Sequence, residues 1–244
     1  HATFKDAEGK WVYPADVAEV DGQWRLIEGG APVTRGRSEK MSKSKHNTVD
    51  PQTIIDAYGA DTARLFMMSD SPPERDLEWT DAGIDGAWRY LQRLYRLVAE
   101  FKDRFVNAVI VDGPVPTDIR KQTHKTIDAV TKDIKQFHFN KAVARIRELT
   151  NALEKMNWDD AGADGDFKEA ITAVIHLIAP MLPHLAEELW AELGHTDLIA
   201  TRAWPKADPA LLEDETVTVA VQVNGKLRAT LQLAKNLPKE EAEA

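Results

Sequence analysis

The segment Lys40-Met41-Ser42-Lys43-Ser44 contains the residue types best suited to chemistry in this sequence. Lysine ammonium groups offset negative charge as compact point charges, and small hydroxyls together with backbone N–H groups bind phosphate oxygens. We therefore expect a mobile loop that closes over phosphates. A basic, solvent-exposed loop without a ligand is the alternative, but a specified string of five residues occurs by chance in only roughly one chain in ten thousand of this size.

The residues that follow this loop predict the helices that hold it in place. Asp50 and Pro51 are typical of a helix N-cap and first turn, and Gly59 is typical of a helix end. A second short helix is expected from Ala60 to Ser69, before a break at Ser71-Pro72-Pro73.

Further along the chain, apolar residues recur at steps of three and four, which is the pattern of helices with one buried face. Five such segments with short connections predict an α-helical bundle over residues 81–213, whose fourth helix is apolar on most sides and therefore central. The expected starts are Thr80-Asp81, Thr117 after a loop at Pro114–Pro116, Asn140 as an N-cap, Asp166 and His184, and Gly194 ends the last helix. The expected inward residues are Ile84, Trp88, Leu91, Tyr95, Val98, Phe101 and Phe105 on the first helix and Ile119, Ile127, Val130, Ile134 and Phe137 on the second.

Two sites carry the signature of a β-hairpin. Asp21-Gly22 lies between two apolar runs near the start of the chain, and Asn224-Gly225 lies between two strictly alternating runs near its end. The sequence thus predicts a mainly α protein. A five-helix bundle is preceded by the loop and its short helices, and it is followed by the β-hairpin of a truncated α/β domain.

Composition and charge exclude several classes of protein. The chain has 244 residues and no cysteine, so a disulfide framework, a thiol nucleophile and a Cys-ligated zinc site are excluded. No apolar run approaches the roughly 18 residues of a membrane span, and no His, Asp and Glu set has metal-ligand spacing. The net charge of −9 hides a basic segment from Thr34 to His46, with five Lys or Arg against one Glu, so one part of the molecule can face a polyanion.

Two rows of cations on the bundle could contact a nucleic-acid backbone. The alternative for each row is a solvated helix face, with Asp128 and Lys132 placed for an ordinary i,i+4 ion pair. Because the aromatic residues of the bundle occupy the apolar stripes, stacking on bases is not expected. The rows are Arg89, Arg93 and Arg96 on the first helix and Lys121, Lys125, Lys132 and Lys135 on the second.

The loop resembles the KMSKS signature of class I aminoacyl-tRNA synthetases. Its surroundings from Glu39 to Met67, then Leu77-Glu78-Trp79, and later Val221 to Lys226, resemble bacterial leucyl-tRNA synthetases. The resemblance implies four regions: residues 1–33 in a leucine-specific insertion, 34–80 with the KMSKS loop and following helices, 81–213 as the anticodon-binding bundle, and 216–244 at the start of a C-terminal tRNA-binding domain.

The resemblance also implies a function and a set of site residues. The whole enzyme would use ATP with Mg²⁺ to activate leucine and would transfer it to tRNA(Leu), as a cytoplasmic monomer. Lys43 would be the main pyrophosphate contact and Lys40 would anchor the loop and add positive field, so these two are the catalytic residues. Ser42 and Ser44 would supply hydroxyl and backbone donors, and Met41 would pack near the nucleotide.

One departure from the family pattern limits this interpretation. No His is followed by x-Gly-His, and the nearest match is Glu192-Leu193-Gly194-His195, so the nucleotide-binding core is missing. We therefore interpret the chain as a C-terminal part of a synthetase that is inactive alone, without a metal site of its own. Two alternatives are a part of a valyl-, isoleucyl- or methionyl-tRNA synthetase and a free-standing tRNA-binding or protein-interaction module.

Overall fold

The computed structural model describes residues 1–110, 117–160, 162–213, 216–223 and 226–234. The first part of the chain is built from short antiparallel strands. These strands are β1 (Phe4–Lys5), β2 (Trp11–Val12), β3 (Val17–Val20), β4 (Gln23–Leu26) and β5 (Thr34–Arg35). A three-stranded sheet has the order β2-β1-β5, and β3 and β4 form a separate hairpin.

The first predicted hairpin is confirmed, and its turn has the expected geometry. Val20 pairs with Gln23, which leaves two residues in the turn. Asp21 has φ 51° and Gly22 has φ 75°, so both adopt the left-handed conformation that a type I′ turn requires.

Two short helices, α1 (Pro51–Tyr58) and α2 (Ala60–Ser69), follow the loop as predicted. The Asp50 side chain accepts a hydrogen bond from Gln52 N–H at 3.0 Å, which satisfies a free donor at the start of α1. Gly59 ends α1 with φ 82°, a conformation that a side chain would strain, and α2 begins at the next residue.

The predicted five-helix bundle is confirmed. Its fourth helix, α6, has buried residues on most of its faces and contacts the other four helices of the bundle, so it is central as expected. Thr80 and Thr117 cap their helices, since their hydroxyls accept from Gly83 N–H and Arg120 N–H. The bundle helices are α3 (Asp81–Asn107), α4 (Asp118–Lys135), α5 (Phe139–Leu153), α6 (Ala163–Ile178) and α7 (Pro183–Glu192).

The predicted inward face of α3 is partly wrong. Trp88 is 36% exposed and Tyr95 is 39% exposed, whereas Tyr90 and Leu94 are buried. A helix of 27 residues can carry two neighbouring apolar rows, and packing against α2, α6 and α7 also buries Tyr90 and Leu94, which lie outside the predicted row. Phe137 is also outside the core: it lies two residues after the end of α4, has φ 59° and is 65% exposed.

Two predicted helix starts are displaced. α5 begins at Phe139, so Asn140 lies inside the helix and does not cap it. The Asn140 Oδ1 atom is buried and accepts no hydrogen bond from the described residues. α6 begins at Ala163 after Gly162, which has φ 86°. Asp166 is therefore in the first turn of α6, where it accepts the Thr117 hydroxyl at 2.7 Å.

The second hairpin is confirmed as an antiparallel pair of strands, β6 (Thr216–Val223) and β7 (Lys226–Ala234), in which Val223 pairs with Lys226. The Asn224-Gly225 turn itself, the Pro114–Pro116 loop and the chain after residue 234 lie outside the described residues.

The loop region is attached to the bundle through α2. Asp61 is buried and accepts from Leu185 N–H at 2.8 Å and from His184 Nδ1 at 2.9 Å, so it caps the start of α7 from another element. Arg64 donates to two main-chain carbonyls of the turn 180–181, at 2.8 and 3.0 Å. One carboxylate and one guanidinium thus fix α2 on the junction between α6 and α7.

The segment after α7 returns across α4. Trp204 Nε1 donates to Thr131 Oγ1 at 2.8 Å, and Asp208 N–H donates to His124 Nδ1 at 2.9 Å. Since Nδ1 accepts, the His124 ring carries its proton on Nε2, which lies 3.1 Å from Glu169 Oε1.

Glu169 on α6 receives this His124 bond and an ion pair from Arg120, whose Nε lies 2.7 Å from Oε2. The His124 hydrogen bond, and then the Arg120 bond and charge, lower the pKa of Glu169 from 4.5 to about 2 against the opposing effect of burial. The ionised carboxylate therefore ties α4 to α6.

We expect Glu169→Gln to destabilise the chain at neutral pH. A carboxyl whose pKa is depressed on folding stabilises the folded state above its ordinary pKa of 4.5 and loses this effect as the pH falls towards 2. After discounting for partial solvent exposure, the loss at pH 7 is about 1–2 kcal/mol. Urea unfolding at pH 7 and at pH 3 should show a smaller difference from wild type at pH 3.

The matched control is Glu148→Gln on α5, because Glu148 is exposed and has no hydrogen-bond or ion-pair partner among the described residues. Its unfolding free energy should change little at either pH. An equal loss in both variants, or a Glu169→Gln loss that does not depend on pH, would contradict this account.

Candidate functional site

The KMSKS loop, residues 36–46, connects β5 to the start of α1. Its first part has no regular secondary structure, and residues Lys43–Lys45 form one 3₁₀ turn. His46 ends this turn in the left-handed conformation with φ 51°, and its ring stacks on Tyr13 with 4.2 Å between centroids. His46 Nδ1 also lies 3.0 Å from the Trp11 carbonyl, so the end of the loop rests on β2.

Asn47 holds the loop from beneath. Its side chain is fully buried, and its Oδ1 accepts from Ser42 N–H at 2.8 Å. Its Nδ2 lies 3.3 to 3.4 Å from the carbonyls of His1, Glu39 and Lys40. A single amide therefore links both sides of the turn, and Asn47 is a positioning residue for the loop.

One lysine of the loop is neutralised within the chain. Lys45 forms an ion pair with Glu39, and Arg37 lies 3.3 Å from the same carboxylate. The Lys45 bond, followed by the Arg37 bond, lowers the pKa of Glu39 below its ordinary value. Lys45 therefore stabilises the base of the loop and does not present a free charge.

The two predicted catalytic lysines differ from Lys45. Lys40 and Lys43 are exposed, and neither has an acidic partner in the part of the chain that the structure describes. The Ser42 and Ser44 hydroxyl oxygens lie 2.8 Å apart next to them. This arrangement places two ammonium groups and two hydroxyls on one short solvent-facing segment, a set of donors that suits the oxygens of a polyphosphate.

Met41, like its neighbour Lys40, lines a largely apolar groove. Met41 is 38% exposed, and the groove has a volume of about 930 Å³ between the loop and the helices α1 and α2. Other apolar residues at this groove are Ile54, Ile55, Met67, Leu77 and Trp79.

The predicted arginine row of α3 does not act as one unit. Arg89 and Arg96 are exposed, whereas Arg93 forms an ion pair with Glu154 and donates to Asn151 on α5. The Glu154 hydrogen bond raises the pKa of Arg93. Arg93 is thus partly neutralised, and the exposed Trp88 and Tyr95 lie beside the row, so the expectation that α3 offers no aromatic for stacking is wrong.

The predicted lysine row lies on α4, a different helix. Lys132 forms the expected ion pair with Asp128 at 2.6 Å. Lys121 and Lys125 are half-buried, whereas Lys135 is exposed at the end of the helix. The structure therefore spreads the predicted cations over two helices and pairs some of them with acids.

The sequence pattern does not indicate the positioning role of Asn47 or the charge of Arg147 next to the arginine row. Asn47 follows the loop within a run that the sequence marks only as basic and small, and no local pattern predicts its burial. Arg147 on α5 lies over the Tyr90 ring, 4.7 Å from its centroid, next to Arg93. Its partner is 57 positions away in the sequence, so only the fold brings the two together.

Within the described ranges, no group of three or more His, Asp or Glu residues could hold a metal ion. None of the helices described is both long and apolar enough to cross a membrane.

The loop and the bundle together define a class of protein. Residues 30–80 match the family model of class I tRNA synthetases (I, L, M and V), and residues 117–243 match the model of the anticodon-binding domain of tRNA ligase. Since the second match covers just over half of the chain, the chain belongs to the family of tRNA ligase anticodon-binding domains.

Individual relatives are more specific. The chain is 57% identical over 239 residues to leucine–tRNA ligase of Paramagnetospirillum magneticum, covering 97% of this chain and 28% of that protein. It is 48% identical over 252 residues to leucine–tRNA ligase of Rhodospirillum rubrum, covering 100% of this chain and 29% of that protein. The chain thus spans less than a third of the curated relatives it matches.

A solved structure shares the fold. The ternary LeuRS–tRNA–LeuAMS complex from Agrobacterium radiobacter K84 matches with a TM-score of 0.72 and 31% identity. The match covers 84% of this chain and 26% of that one.

We expect Asn47→Ala to loosen the loop without unfolding the bundle. Removal of a buried amide with several hydrogen bonds costs about 1–3 kcal/mol, so trypsin should cut after Lys40 or Lys43 roughly tenfold faster. The cleavage rate of the native chain can be followed by mass spectrometry. Thr48→Ala is the control, because the neighbouring Thr48 has no side-chain hydrogen bond in the described structure; equal rates in both variants would refute the anchoring role.

Proposed function

We propose that this chain is the part of a leucine–tRNA ligase that supplies the ATP-phosphate loop and the tRNA-binding bundle. The observation that carries the proposal is the loop itself, where Lys40 and Lys43 are exposed and have no acidic partner among the residues that the structure describes, while Lys45 is paired. In the whole ligase, leucine is activated by ATP and then transferred to tRNA(Leu). The named relatives support leucine over the valine, isoleucine and methionine alternatives and over a free-standing module.

The proposed role of the loop follows from the charge that develops in the activation step. The leucine carboxylate oxygen bonds to the α-phosphorus of ATP, the bond from that phosphorus to the bridging oxygen breaks, and pyrophosphate leaves with the electron pair. Negative charge therefore grows on the leaving oxygens, and a fixed ammonium beside them lowers the barrier. Lys43 takes this position, and Lys40 adds positive field from the other end of the segment.

The remaining donors of the loop orient the phosphates. Ser42 and Ser44 offer hydroxyls to phosphate oxygens, while Asn47 keeps the Ser42 backbone in place. Met41 packs near the nucleotide from the groove side. Magnesium accompanies ATP in this proposal and neutralises charge on the phosphates when bound.

The bundle is proposed to bind tRNA(Leu) mainly through its backbone. Arg89 and Arg96 can neutralise phosphates from the exposed side of α3, and Arg93 is oriented beside them by Glu154. A second, weaker set of cations lies on α4 and consists of Lys121, Lys125, Lys132 and Lys135. The exposed Trp88 and Tyr95 add surfaces on which a base could stack. We propose that the chain has four regions, at residues 1–33, 34–80, 81–213 and 216–244, and that the whole ligase is cytoplasmic and monomeric.

We expect Lys43→Ala in the whole ligase to lower the rate of leucyl-adenylate formation by about 10²-fold, with little change in leucine affinity. Charge stabilisation that acts mainly in the transition state affects the rate and not the binding of the ground state. Lys43→Arg should restore only part of the rate, because a planar fork replaces a point charge. Single-turnover ATP–pyrophosphate kinetics measure this effect.

The control for this variant is Lys10→Ala, which removes an exposed lysine paired with Glu8 in the β-strand region. Its rate should remain near that of wild type. A near-normal rate for Lys43→Ala, or an equal loss for both variants, would count against the assigned role.

We also expect the 244-residue chain alone to show no leucine-dependent ATP–pyrophosphate exchange, since its sequence contains no His-x-Gly-His motif and the nucleotide needs more contacts than one loop gives. The exchange assay with purified chain, next to the whole ligase at equal concentration, checks this. Leucine-dependent exchange by the chain above the level of its Lys40→Ala, Lys43→Ala double variant would contradict this expectation.

A further inference from the structure

A second cationic site lies away from the KMSKS loop, in a cleft between α3 and α5. The cleft has a volume of about 210 Å³ and is open to solvent, so it can admit one phosphate group together with its hydration water. Its lining consists of Gly86, Arg89, Tyr90, Arg93, Arg147 and Asn151.

Arg147 is the unusual residue of this cleft. It is half-buried, its Nε lies out of contact with solvent without an acceptor, and it has no acidic partner in the ranges that the structure describes. Burial lowers the pKa of its guanidinium below the ordinary value. A desolvated cation without a counter-ion is costly, which is typical of a group that receives its anion from a ligand.

The position of Arg147 is fixed by its neighbours. Its guanidinium carbon lies 4.7 Å from the centroid of the Tyr90 ring, within the range of a cation–π contact. The Tyr90 hydroxyl is bonded to Thr150 Oγ1 at 3.1 Å inside the core, and Thr150 in turn donates to the Ile146 carbonyl at 2.9 Å. The guanidinium is therefore held on a rigid support before any ligand arrives.

The charges around the cleft do not balance. Arg93 is neutralised by Glu154 and oriented by Asn151, whereas Arg89 has no acidic partner among the described residues. Three guanidinium groups thus face one carboxylate, which leaves an excess of two positive charges. This excess favours an anion with two or more acceptor oxygens, which planar guanidinium groups bind in bidentate fashion.

We propose that this cleft binds one backbone phosphodiester of a bound RNA, with Arg147 and Arg89 as the direct contacts and the Arg93–Glu154 pair as a fixed rim. The assignment of the phosphate to tRNA rests on the proposed function. The anion site itself rests on the charges and geometry of the cleft. Arg147 therefore adds a contact from α5 to those of the arginine row on α3. Arg96 of that row lies outside the site.

Removal of this contact should weaken RNA binding in a characteristic way. Arg147→Gln in the 244-residue chain should reduce affinity for a tRNA(Leu) transcript by about tenfold, and it should flatten the slope of log affinity against log salt by roughly 0.7 to 0.9. Lys141→Gln is the matched control, because Lys141 is an exposed cation on the same helix without a partner in the described structure. Arg147→Lys should lie between wild type and Arg147→Gln, with circular dichroism confirming that each variant is folded.

A second measurement separates the anion site from the choice of ligand. Inorganic phosphate, titrated against chloride at equal ionic strength, should shift the Arg147 Nε–Hε NMR resonance saturably. Such a shift without tRNA binding would support the site and reject the proposed function. If the resonance does not move and Arg147→Gln matches Lys141→Gln in tRNA affinity, the site is refuted, and the proposed function stands if the chain still binds tRNA.

Discussion

The buried carboxylate of Asp61 fixes how the loop region meets the helical bundle. It replaces the missing intrahelical partners at the start of α7, while Arg64 on the next turn of α2 satisfies carbonyls of the preceding junction. Because unsatisfied polar groups in a buried junction are costly, only one position of α2 on the bundle is stable. The helices that follow the KMSKS loop are thereby held in a defined position relative to α3 and α5, and the distance between the two cationic sites is set by the fold.

The cations of the chain fall into two groups according to their partners. Lys45, Lys132 and Arg93 are each paired with a carboxylate and act within the fold. Lys43 and Arg147 lack such partners in the described parts of the chain, and uncharged groups position them. Lys43 lies in a 3₁₀ turn that Asn47 supports, and Arg147 lies over the Tyr90 ring. A cation that is held in place without a counter-ion can interact with the negative charge of a ligand, so Lys43 and Arg147 are the proposed ligand contacts.

The sequence predicts those features that depend on neighbours in the chain. The caps at Asp50, Thr80 and Thr117 and the two hairpins follow from local rules, and all were found where expected. The wrong predictions include the two helix starts at Asn140 and Asp166. The others concern choices that packing makes, as when α3 buries Tyr90 and Leu94 while Trp88 stays partly exposed. The roles of Asn47, Asp61 and Arg147 depend on partners that other elements bring to them, so no spacing in the sequence could indicate them. The KMSKS loop could be found because its chemistry lies within five consecutive residues.

The return of the chain across α4 limits where the last hairpin can go. Trp204 is bound to Thr131 in the last third of α4 and Asp208 is bound to His124 nearer its beginning, so the chain is led along the helix towards its N-terminal end. From the 3₁₀ turn Pro209–Leu211 to the first residue of β6, a fully extended chain could span no more than about 18 Å. The first residue of the β6–β7 hairpin consequently lies within this short distance of the 3₁₀ turn that follows the chain's return across α4. Any surface that the hairpin contacts near the start of α4 would meet it at a high effective concentration, so a weak contact there could suffice for a lasting association.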